Sequence, residues 1–197
     1  MSFEISNVDT SSILIITGGL LIGCLLGLSW FAGSDAPYVP TKTSRIKKIL
    51  KLAGLKKRQE FWELGSGDGR VVIAAAEMGA KAYGVEQSWI RVLLSRWKTK
   101  SLASHIDSGN VAFIHGDIFK QDFSAADLVF IFLLPNGVEK LEPLLKKNLK
   151  KGTKVITQTF HFRNWKPLKK VLITEKEQPN TLLGKNKYEG DFQIYSV

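Results

Sequence analysis

Apolar and polar positions follow two regimes along this chain. From Ser11 to Ser34 no residue is charged, and Ile13 to Ala32 reads ILIITGGLLIGCLLGLSWFA, apolar on every side of a helix. Further on, short apolar runs alternate with stretches at helical spacing. The runs lie at 60–64 (EFWEL), 81–86 (KAYGVE), 110–115 (NVAFIH), 127–134 (DLVFIFLL) and 154–160 (KVITQTF), and the helical stretches near 69–78, 88–104 and 137–150. Repeated strand–helix–strand order predicts an α/β, doubly wound, mostly parallel sheet. Two last runs, 169–176 (KKVLITEK) and 190–197 (GDFQIYSV), flank a turn-rich loop. They predict an antiparallel pair that completes a seven-stranded sheet.

The first regime predicts a transmembrane helix over 11–34, after a short tail of residues 1–10. About 20 apolar residues, rising about 1.5 Å each, match the ~30 Å hydrocarbon core of a bilayer. Trp30 and Phe31 fall near one end, where amphipathic aromatics settle. A secretory signal would need a basic start and a shorter core. Here the preceding charges are Glu4 and Asp9. A soluble helix apolar all round would need a much larger domain to cover it. Gly19, Gly23 and Gly27 form a small-residue stripe that offers a packing face for a homo-oligomer, although glycine is common in membrane helices. Lys42, Arg45, Lys47, Lys48 and Lys51 crowd the C-terminal flank. The positive-inside tendency therefore puts the domain on the cytoplasmic face, or its topological equivalent in an organelle.

Residues 35–42 (DAPYVPTK) form a linker in which Pro37 and Pro40 resist helix. The domain then spans 43–197, opening with a basic helix capped by Thr43 or Ser44 and ended near Leu55 by Gly54.

Charge narrows the partners. The chain carries 28 Lys and Arg against 18 Asp and Glu, a formal +10, and every cation lies after residue 41. That surplus suits nucleic acid, an acidic protein or anionic lipid, and the adjacent membrane helix puts lipid headgroups first. The pairs Lys146-Lys147 and Lys150-Lys151 read either as a solvated helix face or as part of such a surface. The lone Cys24 excludes an internal disulfide and a multi-cysteine metal site. His105, His115 and His161 show no ligand spacing, so no metal is expected.

The local chemistry concentrates at Glu63-Leu64-Gly65-Ser66-Gly67-Asp68-Gly69-Arg70, directly after a strand and opening a helix. Glycines at 65, 67 and 69 let the backbone turn tightly and approach a ligand at the sheet's carboxyl edge. The spacing departs from the dinucleotide pattern and lacks the Lys-Ser/Thr pair of a phosphate loop. A glycine loop preceded by an acid suits a cationic ligand with a carboxylate tail better than a pyrophosphate. Glu86 ends the second strand, where a carboxylate can accept both ribose hydroxyls of a nucleoside. Asp117 follows the third strand, where it can accept from an adenine amino group. Acids at the ends of three successive strands outline one nucleoside site.

These residues resemble the class I S-adenosylmethionine-dependent methyltransferases over roughly residues 43–197. The resemblance implies a Rossmann-like fold with S-adenosyl-L-methionine as cofactor. Gly65 and Gly67 would flank its methionine moiety, Glu86 would bind the ribose, and Asp117 with Ile118 would frame the adenine. Glu63 and Asp68 would orient the loop and the methionine amino group. A narrower resemblance rests on the apolar helix, then Pro37-Tyr38-Val39-Pro40-Thr41, then the glycine loop, then Phe132-Leu133-Leu134-Pro135. This combination is similar to the small protein-lysine N-methyltransferases. That family includes archaeal broad-specificity enzymes and mitochondrial inner-membrane members acting on ATP synthase c-subunit and adenine nucleotide translocase lysines. It implies a membrane-associated protein substrate.

Tyr38, Thr41, Phe132, Leu133, Pro135 and Asn136 are the candidates for the acceptor channel. Tyr38 reads equally as a membrane-interface residue, and Asn136 as the cap of the following helix. His161 could approach the cleft as a base or be a hydrogen-bonded structural histidine. Leu133-Leu134-Pro135-Asn136 lacks the terminal aromatic that nucleic-acid amino methyltransferases stack on a flipped base, so a nucleic-acid substrate ranks low. A small-molecule or lipid methyltransferase is the alternative that shares the same cofactor site.

Overall fold

A computed structural model describes residues 9–31, 40–102, 108–173 and 190–197. Tyr38, the linker before Pro40, His105 and the end of the 169–176 run lie outside them, as do the side chains of Trp30 and Phe31. The order is α1 (Thr10–Phe31), α2 (Thr43–Ala53), β1 (Glu60–Leu64), α3 (Arg70–Glu77), β2 (Lys81–Glu86), α4 (Trp89–Ser101), β3 (Val111–His115), β4 (Leu128–Ile131), α5 (Pro135–Asn148), β5 (Lys154–Gln158), β6 (Lys169–Leu172) and β7 (Asp191–Ser196). The seven strands form one sheet, ordered β3-β2-β1-β4-β5-β7-β6. The first five are parallel, and β7 runs antiparallel between β5 and β6. This is the doubly wound, mostly parallel seven-stranded sheet that the alternation of runs predicts, with the last strand inserted between β5 and β6.

The order places β1 in the middle of the five parallel strands and reverses direction between β1 and β4. Loops leaving neighbouring strands there part to opposite faces and open a crevice at the carboxyl edge. Helices α2, α3 and α4 cover one face, and α5 covers the other. Helix α3 sits in the middle of its layer, and Val71 to Ala76 are all buried. Its run of six apolar residues suits a helix touched on all sides.

Helix α1 begins where Asp9 Oδ1 accepts from the Ser12 N–H at 2.6 Å. Among the described residues one helix is long and apolar enough to cross a membrane, with mean hydropathy 1.9 over Thr10–Gly27 and none of that stretch buried. It passes alongside α4.

Local details correct two expected caps. Thr43 and Ser44 lie inside the first turn of α2, and Lys42 takes the extended cap position with no side-chain cap bond. The Lys42 carbonyl accepts from Arg45 and Ile46 N–H, so the backbone closes that turn unaided. Gly54 ends the helix in the left-handed conformation, φ 79°. Likewise Asn136 does not cap α5: Leu134 does, with Pro135 as the first helical residue. Proline's fixed φ and missing N–H suit that position and start the helix two residues early.

Candidate active site

The loop from Gly65 to Gly69 turns through three positive φ values, 89° at Gly65, 54° at Gly67 and 78° at Gly69. Residues with a Cβ rarely adopt that conformation, so the three glycines make the turn accessible. Gly65 and Ser66 N–H both donate to the Val85 carbonyl, at 2.9 and 2.8 Å, pinning the loop onto the end of β2. A Cβ on Gly84 would lie 2.7 Å from Ser66 Cβ and 2.8 Å from Val72 Cγ2, so β2 needs a glycine beneath the loop. Sequence reasoning did not single out Gly84. Its signal was a glycine inside a strand run, which marks a close backbone approach.

The candidate acids gather around this loop in different states. Glu86 Oε2 accepts from the Gly67 N–H at 2.8 Å, and Oε1 accepts from the Ser88 N–H at 3.0 Å and faces Arg91 Nη1 at 3.6 Å. It therefore holds the loop to the start of α4. Asp68 takes a fork from Arg70 Nε and Nη2, at 2.9 and 2.8 Å, and a third bond from Lys98 Nζ at 2.6 Å. Burial pushes its carboxyl up, but the bonds and charges of Arg70 and Lys98 more than reverse this and hold it below the usual carboxylate range. Glu63 is the opposite case. It is buried, its Oε2 has no hydrogen-bond partner, and burial with repulsion from Asp68 raises its pKa well above 4.5.

Asp117 Oδ1 accepts from the Phe119 N–H at 2.9 Å and opens a single tight turn at Ile118–Lys120, in which Ile118 is buried. The Gly116 N–H donates to the Glu86 carbonyl at 3.0 Å, so the ends of β2 and β3 are tied together. Glu63, Glu86 and Asp117 thus lie at the carboxyl ends of three adjacent strands.

Thr41 brings the linker's end to the same edge. Its Oγ1 donates to Gln158 Oε1 at 3.0 Å, and its carbonyl accepts from Arg70 Nη1 at 3.1 Å. Gln158, the last residue of β5, is buried, and its Nε2 has no partner. It went unnoticed in the sequence, where its mark was one amide at the end of an apolar run.

From β4, Leu133 reaches over the loop. Its Cδ2 lies 3.0 Å from where a Cβ on Gly65 would stand. Phe132 is half-buried, while Pro135 and Asn136 are exposed on the rim. His161 has both ring nitrogens engaged, Nδ1 with Thr157 Oγ1 at 2.7 Å and Nε2 with Asp191 Oδ2 at 3.1 Å. These bonds tie the turn after β5 to the start of β7. Among the described residues no three His, Cys, Asp or Glu side chains could hold a metal ion together.

Buried polar atoms are ordinarily paired. At this edge Glu63 Oε2, Ser66 Oγ and Gln158 Nε2 are not. An unpaired carboxyl oxygen and an unpaired amide N–H near a glycine turn fit a ligand with its own polar head, as the methionine end of a nucleoside cofactor has.

A parallel sheet that reverses at β1, a glycine loop after it and acids at three strand ends define a Rossmann-like methyltransferase. A solved structure described as an RNA methyltransferase from Salinibacter ruber, in complex with S-adenosyl-L-homocysteine, superposes with a TM-score of 0.69 at 32% identity, covering 81% of this chain and 94% of that one. A protein-lysine N-methyltransferase of Saccharolobus islandicus is 33% identical over 148 residues, 74% of this chain and 90% of that relative. The human lysine N-methyltransferase of the ATP synthase c-subunit is 31% identical over 175 residues, 84% of this chain and 73% of its own length. Residues 63–169 match the ANTKMT methyltransferase domain. The chain belongs to that family.

Proposed function

We propose that this methyltransferase moves the methyl group of S-adenosyl-L-methionine to the ε-amine of a lysine in a protein held in or against a membrane. One observation carries the reading. Thr41, which closes the Pro-Tyr-Val-Pro-Thr stretch, is hydrogen-bonded both to Gln158 at the end of β5 and to Arg70 at the end of the glycine loop. The described end of the stretch, at Thr41, therefore meets the carboxyl edge of the sheet beside the glycine loop.

Gly65 and Gly67 would hold the methionine part, with the unpaired Glu63 Oε2 and Gln158 Nε2 facing its polar head. Asp68, committed to Arg70 and Lys98, keeps α3 and α4 in register around it. Glu86 has lone pairs left for the ribose hydroxyls, and Asp117 with Ile118 would frame the adenine. When bound, the cofactor supplies a methyl group already activated on a sulfonium. The residues' remaining task is to align the acceptor and deliver it neutral. A free lysine has a pKa of about 10.4, and an apolar channel lowers it by disfavouring the charged form. Tyr38, Thr41, Pro135 and Asn136, with Phe132 and Leu133 beside them, would wall that channel.

In this reading residues 1–10 are a tail, 11–34 a membrane span and 35–42 a linker. The domain of 43–197 then lies on the cytoplasmic or matrix side. A tethered enzyme meets membrane substrates at a raised effective concentration. A nucleic-acid substrate is the second reading, favoured by the basic surplus and the description of the Salinibacter relative. Against it stands Leu133-Leu134-Pro135-Asn136, which offers no aromatic to stack on a base.

The test incubates detergent-solubilised protein with radiolabelled S-adenosyl-L-methionine and membranes from its own source, beside Glu86→Ala. Label recovered as methyl-lysine, and absent with the variant, is the expected result. Label in RNA, lipid or small molecules overturns the lysine assignment, and an absence of cofactor binding by calorimetry overturns the whole reading.

A further inference from the structure

Helix α4 is built inside out. Its inward face carries Arg91, Ser95 and Thr99 beside Val92, all buried. Its outward face carries Trp89, Leu93, Leu94 and Trp97, exposed at 50, 51, 38 and 68%. Positions 89, 93 and 97 are each four apart and so form one stripe along the helix. Apolar stripes of this kind mark a surface that is covered in use.

The inward polarity has a cause in the site. Ser95 Oγ reaches the Gly67 carbonyl at 3.3 Å, Arg91 faces Glu86, and Lys98 binds Asp68. The outward apolarity has no such cause within the described residues, because α1 passes alongside α4 and leaves the stripe exposed.

What covers the stripe is indicated by its surroundings. Helix α4 has no acid, and Arg96 and Lys100 are exposed beside the tryptophans. On the same side of the sheet, α2 adds the exposed Lys47, Lys48 and Lys51. Tryptophan and leucine on one side of a helix, flanked by cations, compose a helix that lies in the headgroup–acyl boundary of an anionic bilayer.

We propose that the outer face of α4 docks on anionic lipid. This rests on the membrane reading above, since the span delivers the domain to the bilayer. Docking would orient the catalytic edge, because Trp89 stands three residues beyond Glu86 at the carboxyl end of β2. The acceptor lysine of this enzyme then lies at headgroup level, not far out in the aqueous phase.

The test uses the full chain reconstituted in phosphatidylglycerol–phosphatidylcholine vesicles with an environment-sensitive fluorophore on one cysteine at a time. One sample carries the label on the native Cys24. The others carry C24S with Leu93→Cys, with Trp97→Cys, or with Lys147→Cys on α5 as the aqueous control. A blue shift and quenching by brominated acyl chains at positions 93 and 97, without either at 147, is expected. Quenching at Cys24 but not at 93 or 97 overturns the docking surface and leaves the span standing. Quenching at 93 and 97 but not at Cys24 upholds docking and overturns the span. A response at 93 only after a protein substrate is added assigns the stripe to protein and overturns the proposal.

Discussion

Helices α4 and α5 each follow an interior strand and pack on the sheet, yet they distribute their residues in opposite ways. Helix α5 turns Val138, Leu141 and Leu145 inward and leaves Lys146 and Lys147 outside. Helix α4 turns Arg91, Ser95 and Thr99 inward and leaves Trp89, Leu93 and Trp97 outside. In α5 the sheet face sets the pattern, because apolar burial is the main gain available. In α4 the glycine loop sets it, because the loop's carbonyl, Glu86 and Asp68 all take partners from that side. A helix recruited to hold a site gives up apolar burial there, and its apolar residues become free for another surface.

The largest effect that would sharpen this contrast is at Glu86. Glu86→Ala removes the acceptor of two N–H groups and takes a carboxylate away from the buried Arg91, so a loss of about 3–5 kcal/mol is expected. Cofactor binding should vanish with it in calorimetry. Glu142→Ala on α5, whose carboxylate accepts from the 40% exposed Lys146 and from the Asn164 N–H, should cost about 1–2 kcal/mol in urea unfolding. Equal costs would break the comparison.

Leu141→Ala comes next. Leu141 is fully buried under α5, and a cavity there should cost about 2–5 kcal/mol by urea or thermal unfolding. Gly84→Ala should follow at about 1–3 kcal/mol, because the new methyl meets Ser66 and Val72 and displaces the loop. It should also weaken cofactor binding, whereas Gly152→Ala, at φ 88° in open space, should leave binding intact.

The pH dependence isolates Glu63. Its folded pKa is raised well above 4.5 by burial and by Asp68. Between those two values the folded state keeps a proton that the unfolded chain has lost. Stability therefore falls as pH rises through that window, by up to about 1.4 kcal/mol per unit for this one group. Glu63→Gln should flatten the slope in unfolding experiments without cofactor. The smallest effect belongs to the outside of α4, where Trp97→Ser should leave folding stability within about 0.5 kcal/mol. A larger loss would mean that the stripe is already covered by the protein itself.

Legibility followed the physics of each position. Strands β1 and β2 stood in the sequence at their observed limits, since their apolar runs end sharply at Gly65 and Gln87. Strand β4 was read too long, because Phe132 to Leu134 are as apolar as the strand but leave it, Leu133 to cover the loop and Leu134 to open α5. The caps of α2 and α5 were misplaced by one or two residues, as backbone geometry, not side-chain type, chose them. Glu63, Gly65, Gly67, Asp68, Glu86 and Asp117 were legible as one group because glycine spacing and strand-end acids are local signals. Gln158 and Gly84 were not, because each matters through a neighbour far along the chain.

The sequence by itself determined the alternation that makes a parallel sheet, the apolar helix before it and the glycine loop with its acids. Periodicity and turn chemistry act over a few residues and can be read without knowing the fold. Only the tertiary structure decided that Asp68 is neutralised by Arg70 and Lys98 while Glu63, five residues away, is buried with an unpaired oxygen. It also decided that Thr41 meets Gln158 across 117 positions and that α4 faces its polar side inward. Charge state, partnership and burial depend on which distant groups share a space, and the fold alone brings those groups together.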